Sequence, residues 1–204
     1  MINISGRIEV VFIIEGRSII VIIRNAKKND IDVLQGLYKF IQSLDIDLIK
    51  KIGNEKFFKI LQECYTSEKD RFSYKNCRVL EMDSVIKGFY FSYEYDFMIE
   101  SKEYWEKFIV SRYDLNIDDV IFEYNEALRG EYYLDTLYVF KEGRSQGLGS
   151  KLLEDFFKKE YNLLSLNVDK NNVGAKKLYE SFGMKKEAEI MIANHFYDHM
   201  VLKK

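Results

Sequence analysis

A chain of 204 residues, 47% hydrophobic and 31% charged, suits one soluble folded unit with a real core, and its net charge of −2 leaves no footprint for sequence-independent nucleic-acid binding. No apolar run is long enough to span a bilayer, and Glu9, Glu15 and Arg17 interrupt any signal-peptide core near the start. Cys64, Cys77, His195 and His199 form neither a disulfide framework nor a zinc spacing, so the expected setting is the reducing cytoplasm, with no metal, nucleic-acid or membrane partner.

Without proline, linker or tandem repeat, residues 1–204 read as a single domain. Val10 to Ile14 and Ile19 to Ile23 read as strands around Gly16. Residues 1–20 stand apart as a candidate N-terminal extension. A purine-rich ribosome-binding sequence encoding Glu15 to Arg17 would put the start at Val21, and removal of 1–20 would then leave folding and activity intact; the other reading is an extra edge strand. Asn29 or Asp30 caps a helix whose Leu34, Leu37, Tyr38 and Ile41 share a face, and a second helix carries Phe57, Phe58, Leu61 and Tyr65. Arg78 to Met82 and Val85 to Tyr95 form a hairpin turning at Asp83 and Ser84. An insert over 96–130 holds a helix with Tyr104, Trp105, Phe108 and Ile109, then a strand from Val120 to Tyr124. Strands at Tyr132 to Val139 and Leu163 to Val168 alternate with helices at Gly147 to Tyr161 and Asn172 to Phe182, before two closing strands. The fold class is α/β with a mixed sheet.

The sharpest local signal runs from Val139 to Ser150, out of a strand and into a helix. A pyrophosphate needs converging N–H donors, which the first turn of a helix supplies. Gly147 and Gly149 remove Cβ atoms that would keep the phosphate away, Lys141 or Arg144 adds positive charge, and Ser150 a hydroxyl. The spacing fits neither a Walker loop nor a dinucleotide fingerprint; a glycine-softened helix start explains it equally well. After the next strand, Asn172 and Tyr179 lie two helical turns apart on one face, and Gly183 is suited to a left-handed cap.

Together these elements resemble the GNAT superfamily of N-acetyltransferases. Arg144, Gly147 and Gly149 match its glycine signature, and Asn172, Ala175, Leu178, Tyr179 and Gly183 match its later helix pattern in full. The segment around Gly88 is similar to the family's third strand. The resemblance is strong from Leu134 to Met184, fair from Ile19 to Tyr95 and absent across the insert. It implies a mostly antiparallel central sheet flanked by helices, splayed between the family's fourth and fifth strands, here Tyr132 to Val139 and Leu163 to Val168. It also implies acetyl-CoA as cosubstrate, with the backbone of Leu137, Tyr138 and Val139 pairing with pantetheine. The pyrophosphate would be taken by Arg144, Ser145, Gln146, Gly147, Leu148, Gly149 and Ser150, with Asn172 and Tyr179 touching the cofactor. Lys141 stands where the family has proline, which loosens the loop. Asn172 also suits a helix N-cap.

By the same resemblance Tyr179 is the general acid that protonates the departing thiolate, a task within reach of a phenol with pKa about 10. The alternative is a core tyrosine. A base is needed because an alkylammonium cannot attack. The family's acidic positions on the fourth and fifth strands correspond to Tyr133 and Asn167, which cannot serve. Asp135 is the first choice, Glu131 the second on the same strand face by the two-residue period, and His195 the runner-up.

Glu94 to Glu131 carries eleven acidic and four basic residues, a balance of −7, whereas Lys141 to Lys186 carries ten basic and six acidic, a balance of +4. Phe89 to Tyr133 holds 14 of the 31 aromatic residues. Carboxylates and rings together favour an ammonium ligand, so the expected acceptor is a small cationic amine, polyamine-like or an amino-sugar. The same charges fit a peptide N-terminus or lysine. A non-catalytic acyl-CoA-binding regulatory module and a nucleotide-binding domain of another fold are the competing readings, and monomer and homodimer are both open.

Overall fold

The computed structural model describes residues 8–14, 17–44, 46–192 and 195–204. The strands are β1 (Ile8–Ile14), β2 (Arg17–Asn25), β3 (Cys77–Met82), β4 (Val85–Glu94), β5 (Tyr132–Val139), β6 (Leu163–Asp169), β7 (Lys185–Ile192) and β8 (His195–Lys203). They form one sheet in the order β1-β2-β3-β4-β5-β6-β8-β7, antiparallel throughout except for the parallel pair β5–β6. The strands expected around Gly16 are the edge pair β1–β2, with Ile8 opposite Ile23; Gly16 itself lies outside the described residues, as do residues 1–7.

The hairpin β3–β4 turns where expected. Asp83 and Ser84 both have positive φ, 50° and 64°, the geometry of a two-residue turn whose twist matches its strands. Side-chain alternation along β4 then decides the layers. Phe89 and Phe91 join one core with α1 (Ile31–Gln42), α3 (Asn54–Thr66) and the insert residues Trp105, Ile109 and Ile121. Tyr90, between them, joins the opposite core with Leu148, Leu152, Leu153 and Phe156 of α6 (Leu148–Phe157) and with Met184 and Met200. Each fully buried Leu or Phe contributes about 2 kcal/mol relative to exposure.

α1 buries Val33, Leu34, Leu37 and Ile41, as its 3.6-residue pattern predicts, with Tyr38 half-buried beside them. Asp30 is its N-cap by position, but its carboxylate bonds Arg24 and the Lys27 amide instead of the helix. Gly36 sits where α1 meets the sheet: a Cβ there would come within 2.6 Å of Phe89 Cε1 and 2.8 Å of Phe140 Cζ. Alanine would gain roughly 1 kcal/mol of helix propensity but overpack by about 1–3 kcal/mol. Gly36→Ala should therefore lower Tm by a few degrees in calorimetry; a rise would contradict this contact.

A short helix, α2 (Asp47–Ile52), was not expected. The insert opens as α4 (Tyr95–Tyr104), passes through a π-helical turn at Trp105–Ile109 and ends as α5 (Val110–Arg112). The strand expected from Val120 to Tyr124 does not form. That segment is irregular chain with bends at Ile121, Phe122 and Tyr124: Phe122 packs edge-on against Phe72, and the Glu123 carbonyl accepts a hydrogen bond from Arg71. Its apolar side chains cover the core instead, with Ile121 buried and Val120, Phe122 and Tyr124 packed beside it. No helix among the described residues is long and apolar enough to cross a membrane.

Candidate active site

β5 and β6 pair only through Tyr132–Leu164, Tyr133–Ser165 and Leu134–Leu166. Beyond that point β5 stays with β4 as far as Val139 opposite Gly88, and β6 stays with β8 as far as Asp169 opposite Tyr197. A bulge starts the divergence: Leu134 faces Ser92 and Thr136 faces Phe91, so Asp135 is an extra residue on β5. The opened wedge is the expected splay. It holds a cavity of about 220 Å³ whose wall includes Glu126, Asp135, Leu137, Asn167, Asn172 and Tyr179.

Two helix N-termini flank the strands. Gly147 has φ 73° and caps α6, whose own carbonyl ladder begins with Lys151 N–H to Gly147 O, 3.2 Å. The amides of Leu148, Gly149 and Ser150 precede that ladder. A Cβ on Gly149 would meet nothing nearer than Val139 Cγ2 at 3.9 Å, so the space over this turn is open. Arg144 donates through Nε to the Val139 carbonyl, 3.1 Å, and lies over the Tyr138 ring. Lys141–Gly143 is a 3₁₀ turn closed by Gly143 N–H to Phe140 O, 2.9 Å, so the proline-free loop is held by backbone bonds.

α7 (Val173–Ser181) carries Tyr179. Asn172 Oδ1 accepts the Ala175 amide, 3.1 Å, making it the N-cap while it also lines the cavity. At the other end Met184 N–H bonds Tyr179 O, Gly183 N–H bonds Glu180 O, and Gly183 has φ 90°, the left-handed cap expected from sequence. Burial pushes the Tyr179 phenol above its ordinary value, which keeps it protonated.

Sequence reasoning missed a buried hydrogen-bonded network beside the cavity. Arg71, 2% exposed, donates from Nε to Asp135 Oδ2, 2.8 Å, and from Nη2 to both Asp135 Oδ2 and Glu126 Oε2, each 2.5 Å. Tyr93 also donates to Asp135 Oδ2, and Thr136 to Oδ1. Tyr133 donates to Glu126 Oε2, 3.4 Å, and accepts from Asn167 Nδ2, 3.1 Å. Burial pushes the Glu126 carboxyl up to about 7; Arg71 opposes the shift and Asp135 adds to it. Glu126 belonged to the acidic excess of the insert, but nothing in its spacing distinguished it.

Arg71 also revises the cation site read from composition. Its guanidinium lies 5.5–5.7 Å from the ring centres of Phe72, Tyr93, Phe122 and Tyr124, so much of that aromatic and acidic surface already holds a cation of the chain itself.

Glu131 is not part of the cavity wall. It accepts from His199 Nε2, 3.0 Å, from Ser165, 2.9 Å, and from the Leu128 amide, 2.8 Å. Burial raises its carboxyl, but these bonds outweigh it and hold the group below its usual range. It reaches the cavity only through His199 and Asn167, whose Oδ1 faces His199 Nδ1 at 2.7 Å. Both ring nitrogens of His199 thus face acceptors, since Asn167 Nδ2 is committed to the Glu126 carbonyl and to Tyr133. His195 is exposed at the start of β8, away from this wall.

The model of the GNAT acetyltransferase family matches residues 55–184. A solved structure described as an acetyltransferase is 27% identical, with a TM-score of 0.74 over 89% of this chain and 98% of its own. An N-acetyltransferase from Staphylococcus aureus Mu50 is 25% identical, with a TM-score of 0.76 over 88% and 99%. The aminoglycoside acetyltransferase AAC(6')-Ib, solved with coenzyme A and kanamycin, shares the fold at 16% identity and a TM-score of 0.53, over 90% and 95%. No curated protein sequence matches the chain.

Proposed function

The chain belongs to the GNAT family of acetyltransferases and is an acyltransferase, and from that premise we propose that it moves an acetyl group from acetyl-CoA to the primary amine of a small cation. The observation that carries this reading is one cavity at the β5–β6 splay that joins Tyr179 and Asn172 to three carboxylates, the buried side chains of Glu126 and Asp135 and the partly buried Asp169. Its volume of about 220 Å³ is enough for a small amine.

The residues fit acetyl-CoA. Leu137, Tyr138 and Val139 present backbone toward the splay with no strand partner on that side among the described residues, so they can pair with a pantetheine amide chain as a neighbouring strand would. The turn at Arg144, Ser145 and Gln146 and the first-turn amides of Leu148, Gly149 and Ser150 suit the pyrophosphate, with Gly147 at positive φ shaping the approach. Bound there, the cosubstrate supplies a thioester carbonyl that a free amine attacks directly. Tyr179 gives its phenolic proton to the departing sulfur. A carboxylate of the network takes a proton from the ammonium. Asp135 is at hand, although its oxygens already accept from Arg71, Tyr93 and Thr136; Glu131 would act only at a distance, through His199 and Asn167.

Two measurements test this reading. Thiol release from acetyl-CoA should be stimulated by spermidine or glucosamine; stimulation only by peptides would overturn the small-amine assignment. Gly149→Asp should leave Tm unchanged or slightly higher, because a carboxylate suits a helix N-terminus, yet weaken coenzyme A binding by about tenfold, roughly 1.4 kcal/mol. Unaltered affinity in calorimetry would remove the pyrophosphate from this turn.

A further inference from the structure

We propose that Glu126 is the group that receives the ammonium's proton, through Oε1, and that Arg71 positions it. The inference rests on the functional reading above. Among the described residues the buried Oε1 of Glu126 and Oδ2 of Asp70 lack a hydrogen-bond partner, whereas the buried Oδ1 of Asp198 has Lys186 Nζ at 2.7 Å, and of these residues Glu126 alone lines the cavity. Arg71 Nη2 and the Tyr133 hydroxyl fix Oε2 and so orient the carboxyl, leaving Oε1 uncommitted. Of the other carboxylates of the wall, Asp135 accepts on both oxygens, and Asp169 is only partly buried and takes the Asn171 amide on Oδ1, 2.7 Å.

The groups facing Glu126 come from several elements: Arg71 from the loop after α3, Tyr93 from β4, Tyr133 and Asp135 from β5, and Tyr197 from β8. Arg71 is one positive charge shared by two carboxylates. With Glu126 ionised the cluster is one negative charge in excess, which an arriving ammonium cancels. Proton transfer then leaves a neutral amine, a neutral Glu126 and the balanced Arg71–Asp135 pair, so no net charge is stranded in the wall. An affinity for protons near neutrality, which burial confers on this carboxyl, suits that exchange.

The step balances. One N–H bond of the ammonium breaks and its proton goes to Oε1. The freed lone pair forms the C–N bond at the thioester carbonyl as the C–S bond breaks. The Tyr179 proton goes to sulfur, and the second proton from the acylated nitrogen returns to the phenolate. Glu126 then loses its proton to solvent, giving amide, thiol and one proton overall.

The test uses the full chain and acetyl-CoA, with spermidine or glucosamine for turnover and the pH profile of thiol release from 5.5 to 9.5 taken on spermidine, whose ammonium groups ionise above the limb. In the wild type kcat/KM should rise through a limb near pH 7. Glu126→Gln should lose that limb, fall about 10²-fold at pH 7, keep its affinity for coenzyme A, and recover as pH rises and free amine accumulates. Should Glu126→Gln fail to bind coenzyme A, Glu126→Asp serves instead, with the limb kept and kcat reduced about tenfold. A limb retained in Glu126→Gln with activity within threefold of wild type overturns this inference alone, as does a limb absent from a fully active Glu126→Asp. A wild type that binds coenzyme A but releases no thiol with either amine overturns the functional reading, and this inference with it, before any variant is compared.

Discussion

Tyr179→Phe is expected to lower kcat about 10³-fold while leaving coenzyme A affinity and Tm unchanged, the middle of the range for losing a positioned acid. The phenol makes no hydrogen bond among the described residues, so its loss removes no folded-state partner. Its position is nonetheless fixed. Asn172 caps the start of α7, and the paired bonds from Gly183 and Met184 close its end one residue or less from Tyr179's own carbonyl. Burial holds the group protonated through neutral pH, as an acid must be before the C–S bond breaks. If the hydroxyl acts only as that bond breaks, kcat and kcat/KM fall together and KM stays put. A rise in KM at unchanged kcat would instead make Tyr179 a binding group. Retention of more than a tenth of the activity would end its candidacy as the acid.

The parts that could be read in advance are those whose physics is local. Asp83 and Ser84 permit a positive-φ turn, Gly183 a left-handed cap, and Asn172 a side-chain cap, and each is decided within four or five residues of chain. The helix faces of Leu34, Leu37 and Ile41, or of Phe57, Leu61 and Tyr65, follow from period alone. The splay was different: nothing in Tyr132–Val139 or Leu163–Asp169 says that pairing stops at Leu134, and only resemblance to a family supplied it. Arg71 was invisible for a further reason. It meets Glu126 and Asp135 across 55 and 64 residues of sequence, from a loop without periodicity, so no pattern connects the three. The charge count did register the acids, but it assigned them to an outside cation when an internal one holds much of the same surface. Val120 to Tyr124 failed for the opposite reason, since its residue types favour a strand but its side chains Ile121 and Phe122 pack onto the core beside Phe72 instead of joining the sheet.

Arg71→Met is expected to be among the most destabilising single changes, by about 3–5 kcal/mol, because it leaves two carboxylates buried without their cation. For a chain of 204 residues that corresponds to a fall in Tm of roughly 10 °C. Methionine keeps much of the volume between Phe72, Phe122 and Tyr124, so the loss reports on charge more than on a cavity. The sign with pH is fixed by linkage. Arg71 holds down the Glu126 carboxyl that burial raises, so without it that carboxyl moves further above its unfolded value near 4, and the folded form binds more protons than the unfolded one. The deficit relative to wild type should therefore be small near pH 4.5 and grow toward pH 8. Adding Glu126→Gln and Asp135→Asn to Arg71→Met removes the stranded charges, and the triple variant should recover at least half of the lost stability, since a buried ion cluster is costly chiefly when only one of its members is deleted. Chemical denaturation of the wild type, Arg71→Met and the triple variant at pH 5 and pH 8 reads all three expectations at once. A deficit independent of pH, or a triple variant no more stable than Arg71→Met, would mean that Arg71 stabilises the fold by packing against its four rings, with its charge incidental.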